Sequence, residues 1–539
     1  MHQFLEKHSR LLAALPVLLM ALLQFATARQ ESATFDEGVH LAAGYRYWRT
    51  GNYSLNVEHP PLQKLLSAAP LLWVNPPMPA DPKLLTDQSE YARVFLYGGA
   101  ADADWLVLLG RLPTLFLSSL LLAAVYWAGR KHFGAPVAVA AVWLCAMDPN
   151  LIAHGRYITT DMASALLFFL AVAVWINYLL SPSRRRAAVA ALVLGLALSA
   201  KFSMVVLLLL LPLIALLHWV MGRGSWRPLA VLPFLGAGAV LVVLVTYAPE
   251  SWRLVRGRNV AVEAETIRGY ELPPHRYLTG LRTVIDHNSE GHPSYLLGVT
   301  RESGWWYYFP VVFLVKSPTA LLLLVLLGAG AGLVRIHRAE FLWLGLLLPP
   351  LVYFATTLTS HINLGVRHLL PMYPFLYLLC AAAILCLWPG RRGLLIVGGL
   401  AALQTGETLV NFPEYLGYFN LPAGGRAAGP RYLLDSNVDW GQDLKKLKSY
   451  IDTNGSPKVC LDYFGSVEPK YYGIQFEYLP KSWDKDELER MDCIGAISET
   501  LLQDLYIRPG SYEWLRGRPA MGTVGSSIRL YDLRKPGAR

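Results

Sequence analysis

The sequence predicts an α-helical polytopic membrane protein of about eleven spanning helices, followed by a small C-terminal α/β module. Three observations predict it. Hydrophobic residues make up 54% of the 539 residues and charged residues only 16%, against roughly 25% charged in an average soluble domain. The apolar residues gather into charge-free runs such as 205–217 and 319–327. Hydrocarbon offers the backbone no partner, so such runs must pair internally as helices. Finally, basic residues recur in short tracts on every second connection between the runs. Regular alternation of polar and apolar residues is absent, which argues against an outer-membrane barrel.

The chain opens on Lys7 and Arg10 and an apolar run over 11–25 with no small-residue cleavage site before Glu31, which reads as an uncleaved first helix. Spans follow near 11–27, 105–128, 135–148, 158–180, 187–200, 203–221, 228–248, 306–333, 341–359, 367–388 and 394–411, the third and fifth being short. Arg130-Lys131, Arg184-Arg185-Arg186, Arg223 with Arg227, Arg335 with Arg338, and Arg391-Arg392 all fall on the side of Lys7 and Arg10. The positive-inside rule makes that side cytoplasmic and, with an odd helix count, puts the C-terminus outside. Three parts then project outward: a loop over 28–104, a loop over 249–305, and a soluble domain over 412–539. The membrane domain is 1–411. The last segment carries strand-like stretches at 458–463 and 527–531 and a helix-like stretch at 443–452.

The net charge of +10 sits in the short tracts that topology requires. No basic helix with interleaved aromatics occurs, so nucleic acid is excluded as a partner. Cys145, Cys380 and Cys386 lie in apolar runs and read as small buried hydrophobes. Cys460 and Cys493 lie outside those runs, one ending a strand-like stretch and the other opening one, so neighbouring strands could bring them together as a disulfide, the alternative being two separate buried thiols.

Residues with chemical potential cluster on the outer side. Phe35-Asp36-Glu37-Gly38 stands just beyond the first helix, before an amphipathic stretch rich in Tyr and Trp. Next come Asn56-Val57-Glu58-His59-Pro60-Pro61-Leu62 and a second amphipathic stretch bearing Lys64. An acid held at the interface is placed to take a proton from a hydroxyl; on Asp36 alone, the reading as a solvated acid at a helix N-terminus wins. Asp161, at the mouth of the fourth span, reads as an N-cap or as a functional acid. Arg111, Lys201 and Arg367-His368 lie at outer helix ends, against the positive-inside bias. Cations there need an anion, and a lipid phosphate is the natural one; snorkelling explains a single such residue. In the C-terminal segment, Asp435-Ser436-Asn437-Val438-Asp439-Trp440-Gly441-Gln442-Asp443 sets carboxylates and carboxamides around one Trp. Asp439, Trp440 and Gln442 are therefore candidate acceptor contacts, the alternative being a loop that caps the helix from Asp443.

The motifs resemble those of bacterial lipid-carrier-dependent glycosyltransferases of the GT-C superfamily, in the glycosyltransferase family 39 branch related to protein O-mannosyltransferases and lipid A aminoarabinose transferases. The resemblance rests on Phe35-Asp36-Glu37, Glu58-His59-Pro60-Pro61-Leu62, Thr160-Asp161, Ser199-Ala200-Lys201, His292-Pro293-Ser294-Tyr295-Leu296-Leu297-Gly298 and Gly365-Val366-Arg367-His368-Leu369-Leu370-Pro371, in that order and on one side. It implies a GT-C fold. It implies Asp36 as catalytic base with Glu37 beside it, and Asp161 as the second acid, orienting the acceptor or a metal. Lys201, Arg367, His368 and Arg111 match the cations near the donor phosphate. Glu58, His59, Lys64, His292 and Tyr295 match substrate-lining segments, with Glu58 and His59 the candidates for a divalent metal. The sequence departs from the eukaryotic mannosyltransferases in having no long extra luminal module, which weakens a protein acceptor as the default.

The expected function is sugar transfer from a polyprenyl-phosphate carrier to a hydroxyl of a glycan, lipid or protein acceptor, outside a bacterial inner membrane. Absence of a covalent intermediate implies inversion, although a retaining route with a carboxylate nucleophile stays open. The rival class is a transporter or flippase of a lipid-linked sugar. It accounts for the helices and outward cations but less well for the acid-rich first loop, and charges deep in matching broken helices, which a transporter needs, are not evident.

Overall fold

The computed structural model describes residues 2–99, 101–222, 226–256, 273–338 and 340–535. The tract Arg223 and part of the expected outer loop, 257–272, lie outside them.

The protein is a multi-pass membrane protein. Among the described residues, eight helices are long and apolar enough to span a bilayer: Glu6–Gln30, Ala103–His132, Asp161–Leu180, Phe202–Val220, Leu232–Glu250, Thr319–His337, Val366–Leu387 and Arg391–Val410. Ala135–Ala146 and Phe341–Thr357 are apolar but shorter. Arg184–Ala200 is 17 residues long and begins on three arginines; it packs between Asp161–Leu180 and Leu232–Arg256. Each of the eleven expected spans thus has a helix, but fewer than eleven are long enough to cross unaided. The expected span 306–333 is two helices, Tyr308–Lys316 and Thr319–His337. Pro318 lacks an N–H and pushes Ser317 into an extended conformation (ψ 139°), which ends the first helix. Leucines such as Leu11, Leu209 and Leu326 remain exposed on the helix surfaces, as a lipid-facing belt requires.

The segment after the first helix is ordered by close packing. The helix Glu37–Thr50 ends on Gly51 in the left-handed region (φ 65°). It presses against Leu62–Ala68 at Gly44, where a Cβ would lie 2.0 Å from the Lys64 carbonyl oxygen, so only glycine fits. Lys7, Arg10, Arg130 and Lys131 gather at the opposite end of the bundle, where Arg130 pairs with Glu6.

The C-terminal module holds a five-stranded sheet of order β4-β3-β5-β7-β6, built from β3 (Val459–Asp462), β4 (Phe476–Tyr478), β5 (Ile494–Ser498), β6 (Gly522–Val524) and β7 (Ile528–Asp532); β1 (Ser294–Leu296) and β2 (Val299–Arg301) form a separate hairpin. β3 runs parallel to β4 and β5, while β7 is antiparallel to β5 and β6. The helix Leu444–Thr453 precedes the sheet. Cys460 and Cys493 form a disulfide with Cα atoms 5.9 Å apart. The module is bound to the membrane part by main-chain hydrogen bonds: Ser32 N–H donates to the Gln442 carbonyl (3.0 Å) and Phe35 N–H to the Trp440 carbonyl (2.9 Å). That junction lays Trp440 beside the expected acid Asp36.

Candidate active site

The module and the end of the bundle opposite Arg130 enclose a cavity of about 1690 Å³. Among its walls are Asp36, Glu58, His59, Asp161, Lys201, His292, Arg367, His368 and Trp440, drawn from seven separate stretches of sequence.

Two acid–cation pairs face this space. Arg367 donates to Asp36 Oδ2 at 2.9 Å, with side-chain exposures of 11% and 29%. Lys201 Nζ donates to Asp161 Oδ1 at 2.6 Å. Asp161 opens its helix, and its other oxygen accepts from Thr159 Oγ1 at 2.9 Å. Arg367 also lies 4.5 Å over the Trp440 ring, a contact that only a planar cation makes well, and its Nε is buried with no hydrogen-bond partner. Its position is fixed from behind by Asn437. Asn437 Oδ1 accepts from Val366 N–H at 3.1 Å, and Gly365 (φ +120°) meets the Asn437 side chain so closely that a Cβ would lie 2.3 Å from Oδ1. The cations expected to seek a lipid phosphate are therefore held by the acids expected to do chemistry.

Arg111 and Glu37 are arranged differently. Both are buried, and neither lines the cavity. Arg111 forks onto both Glu37 oxygens (2.8 and 2.7 Å) and donates to the carbonyls of Ala28 and Ser32. Glu37 further accepts from the N–H groups of Thr34 and Ile158. Burial pushes the Glu37 carboxyl up, but Arg111 and these donors outweigh it and hold it below its ordinary value. The anion that Arg111 needs is Glu37, and its donors are committed. Glu31 and Arg156, which carried no signal of their own, form a second buried fork with Tyr157. The two forks fasten the chain after the first helix to the segment before Asp161.

Lys64 is fully buried and away from the cavity. Its ammonium donates to the carbonyls of Asn56 (2.6 Å) and His59 (2.8 Å) and to Tyr47 Oη (2.9 Å). It staples the Glu58-His59 turn rather than lining a substrate. Burial pushes it down to about 7. His59 lies 4.9 Å from His40. Burial, with the positive neighbour Lys64, lowers His40 to about 4 and His59 well below its usual value, so both imidazoles are neutral at neutral pH. Among the described residues no group of three or more His, Cys, Asp or Glu side chains is gathered to hold a metal ion. At the expected pair, Glu58 Oε1 already accepts from the amides of Asn56 (2.9 Å) and Gln88 (2.8 Å).

Three other expected contacts turn inward. Tyr295 donates to the Pro430 carbonyl and packs with Leu434 and Leu505. Asp439 is buried and accepts from Thr500 N–H; burial raises it to about 8. Gln442 spends its amide on Val438, Asp443 and Ser526. The module's share of the wall includes Trp440, Asp435, Phe464, Lys481 and Tyr506. Of these, Asp435 and Trp440 lay in a motif visible in the sequence, whereas Phe464, Lys481 and Tyr506 carried no local signal.

Residues 107–252 match the family model described as dolichyl-phosphate-mannose-protein mannosyltransferase. No curated protein sequence matches the chain. Among solved structures, the chain is similar to ArnT from Cupriavidus metallidurans in the apo state, with a TM-score of 0.50 and 14% identity over 97% of this chain and 98% of that one. It is similar to ArnT from Cupriavidus metallidurans bound to undecaprenyl phosphate, with a TM-score of 0.50 and 15% identity over 97% and 99%. Part of the chain thus matches the mannosyltransferase family model, and almost its whole length shares the fold of ArnT.

Proposed function

We propose that the chain transfers a sugar from a polyprenyl-phosphate carrier to an acceptor hydroxyl, with Asp36 as base and Lys201 and Arg367 as the cations that receive the carrier phosphate. The observation that carries this reading is the pairing of Asp36 with Arg367 and of Asp161 with Lys201 on one cavity. The similar ArnT structure bound to undecaprenyl phosphate supports a carrier lipid as donor. The phosphate of an entering donor competes with Asp36 and Asp161 for the two cations. Arg367 has an unused Nε–H for it, and Asp36, released from the pair, becomes free to accept a proton. The acceptor oxygen attacks the anomeric carbon as its proton passes to Asp36. The bond from that carbon to the phosphate oxygen breaks, its electron pair staying on the phosphate, where the cations stabilise the added charge; each such contact is worth about 10²–10³ in rate. One displacement inverts the anomeric centre. Asp161 orients Lys201, and the Glu37–Arg111 fork positions Asp36 without touching substrate.

The reading includes the topology expected from the charges: a bacterial inner membrane, the N-terminus cytoplasmic, and the cavity and module periplasmic. The clustering of Lys7, Arg10, Arg130 and Lys131 at the end away from the module supports it. Sugar transfer by purified protein in detergent, where no gradient exists, tests the proposal against a transporter. Turnover there, with release of polyprenyl phosphate, is the expected result. Movement of intact lipid-linked sugar across vesicles, without transfer in detergent, overturns it.

A further inference from the structure

The outer half of the cavity, beside the Asp36–Arg367 pair, is built from the helix Pro273–Glu290, His292 and the module. A hydrogen-bonded chain crosses it. His287 Nε2 contacts His292 Nδ1 at 3.2 Å, His292 Nε2 contacts Tyr506 Oη at 3.1 Å, and Tyr506 Oη contacts Asp435 Oδ2. Tyr506 Oη donates to Asp435, so His292 Nε2 donates to Tyr506 and His287 Nε2 to His292 Nδ1, and every donor in the chain is directed toward Asp435. Asp435 is 7% exposed and holds a positive φ of 55°, a conformation that a non-glycine residue keeps only where its surroundings impose it. Its Oδ1 accepts from Ser436 N–H, which leaves lone pairs on both oxygens for hydroxyl groups.

Two further features specify the ligand. Phe464 is stacked between Phe35 and Tyr506, with ring centroids 5.3 Å apart on each side, and Phe35 stays 41% exposed, so an aromatic face is open on the cavity at the other end of the stack that Tyr506 begins. Asp286, Glu290, Asp435 and Asp462 line this half; Asp286 pairs with Arg282, Asp462 with the Lys481 ammonium and the nearby Arg367 with Asp36, which leaves Glu290 and Asp435 as the excess charge. Such a surface repels phosphate and carboxylate and suits a ring that offers hydroxyl donors and an apolar C–H face.

We infer that this outer half is the acceptor site and that its acceptor is an uncharged carbohydrate, bound through hydroxyls to Asp435 and through a sugar face to Phe35. The inference rests on the glycosyl-transfer reading for the word acceptor, but its test needs no donor. Saturation-transfer NMR on the purified full chain would compare maltotriose, mannotriose and N,N′,N″-triacetylchitotriose with glucose 6-phosphate and mannose 6-phosphate. At least one neutral trisaccharide binds, its affinity falls tenfold or more in Asp435→Asn and threefold or more in Tyr506→Phe, and the sugar phosphates do not compete. Thermal unfolding at wild-type temperature shows that Tyr506→Phe is folded, and it serves alone if Asp435→Asn is not. Equal or tighter binding of the phosphates, no binding of any neutral trisaccharide, or unchanged affinity in the folded variant overturns the inference. Failure of transfer from a polyprenyl-phosphate donor, measured separately, would count against the glycosyl-transfer reading and not against this binding result.

Discussion

Asp36→Asn separates the two roles that the Asp36–Arg367 pair combines. The substitution keeps the shape of the side chain but removes its charge and its ability to hold a proton from the acceptor. At 2.9 Å the gross attraction between the two charges is about 6 kcal/mol at an effective dielectric of about 20. The net coupling is a fraction of that, because Asp36 keeps 29% of its side-chain surface in water. That coupling opposes donor binding, since a phosphate must displace Asp36 to reach Arg367. Its removal should therefore tighten donor binding, up to roughly tenfold for about 1.4 kcal/mol of released competition. Loss of the base acts on a different quantity. General-base catalysis contributes about 10²–10⁴, so kcat should fall at least 100-fold, or about 2.7 kcal/mol in the barrier. Steady-state kinetics with varied donor reads both numbers. The prediction is a falling kcat with a level or falling donor KM. A kcat within threefold of wild type, or a raised KM with kcat unchanged, would refute the reasoning, because Asp36 would then only be binding the donor.

Lys201→Ala should raise donor KM, but it also strands Asp161, whose side chain is 3% exposed, and stranding a buried charge costs about 3–5 kcal/mol. The double variant Lys201→Met with Asp161→Asn removes that penalty; it should regain the wild-type unfolding temperature while donor KM stays raised, and recovery of both would make the pair structural only. Reduction of Cys460–Cys493, which lie 33 residues apart, should destabilise the module by about 3–4 kcal/mol in the chain-entropy model, read as an earlier unfolding transition on heating with reductant. Asp439 carries a folded value raised to about 8 by burial, so its protonated form stabilises the fold fully below pH ~4 and that stabilisation is lost as pH rises toward 8. Asp439→Asn should flatten the stability profile between those limits, and an unchanged slope would show that another group sets it.

The sequence disclosed the spans and the outer acids because hydropathy and charge placement are local signals. It disclosed less about which anion each outward cation meets. Arg111, Lys201 and Arg367 all lie where a cation needs a counter-charge, but a carboxylate 74 or 331 residues away answers that need as well as a lipid phosphate does. For Arg111 the carboxylate and the backbone carbonyls take its donors; for Arg367 a free Nε remains. The break at Ser317-Pro318 was visible as a proline, yet the apolar run around it outweighed that signal. Lys64 shows the converse. Its place on an amphipathic stretch suggested a substrate contact, whereas the tight approach at Gly44 turns it toward the carbonyls of its own turn. The module's wall was the least legible part. Phe464, Lys481 and Tyr506 are scattered among strands and loops, and long-range contacts such as the pairing of 32–35 with 440–442 bring them to the cavity that Asp36 lines.

The most direct test of the account follows a single turnover of purified protein in detergent with a panel of polyprenyl-phosphate sugars. Mass spectrometry would count released polyprenyl phosphate against glycosylated acceptor, and NMR would read the anomeric configuration of the product. The account predicts one carrier phosphate released per sugar transferred, an inverted anomeric centre, and neither product from Asp36→Asn. Retention of configuration, a covalent sugar–protein intermediate, or full turnover by Asp36→Asn would contradict it.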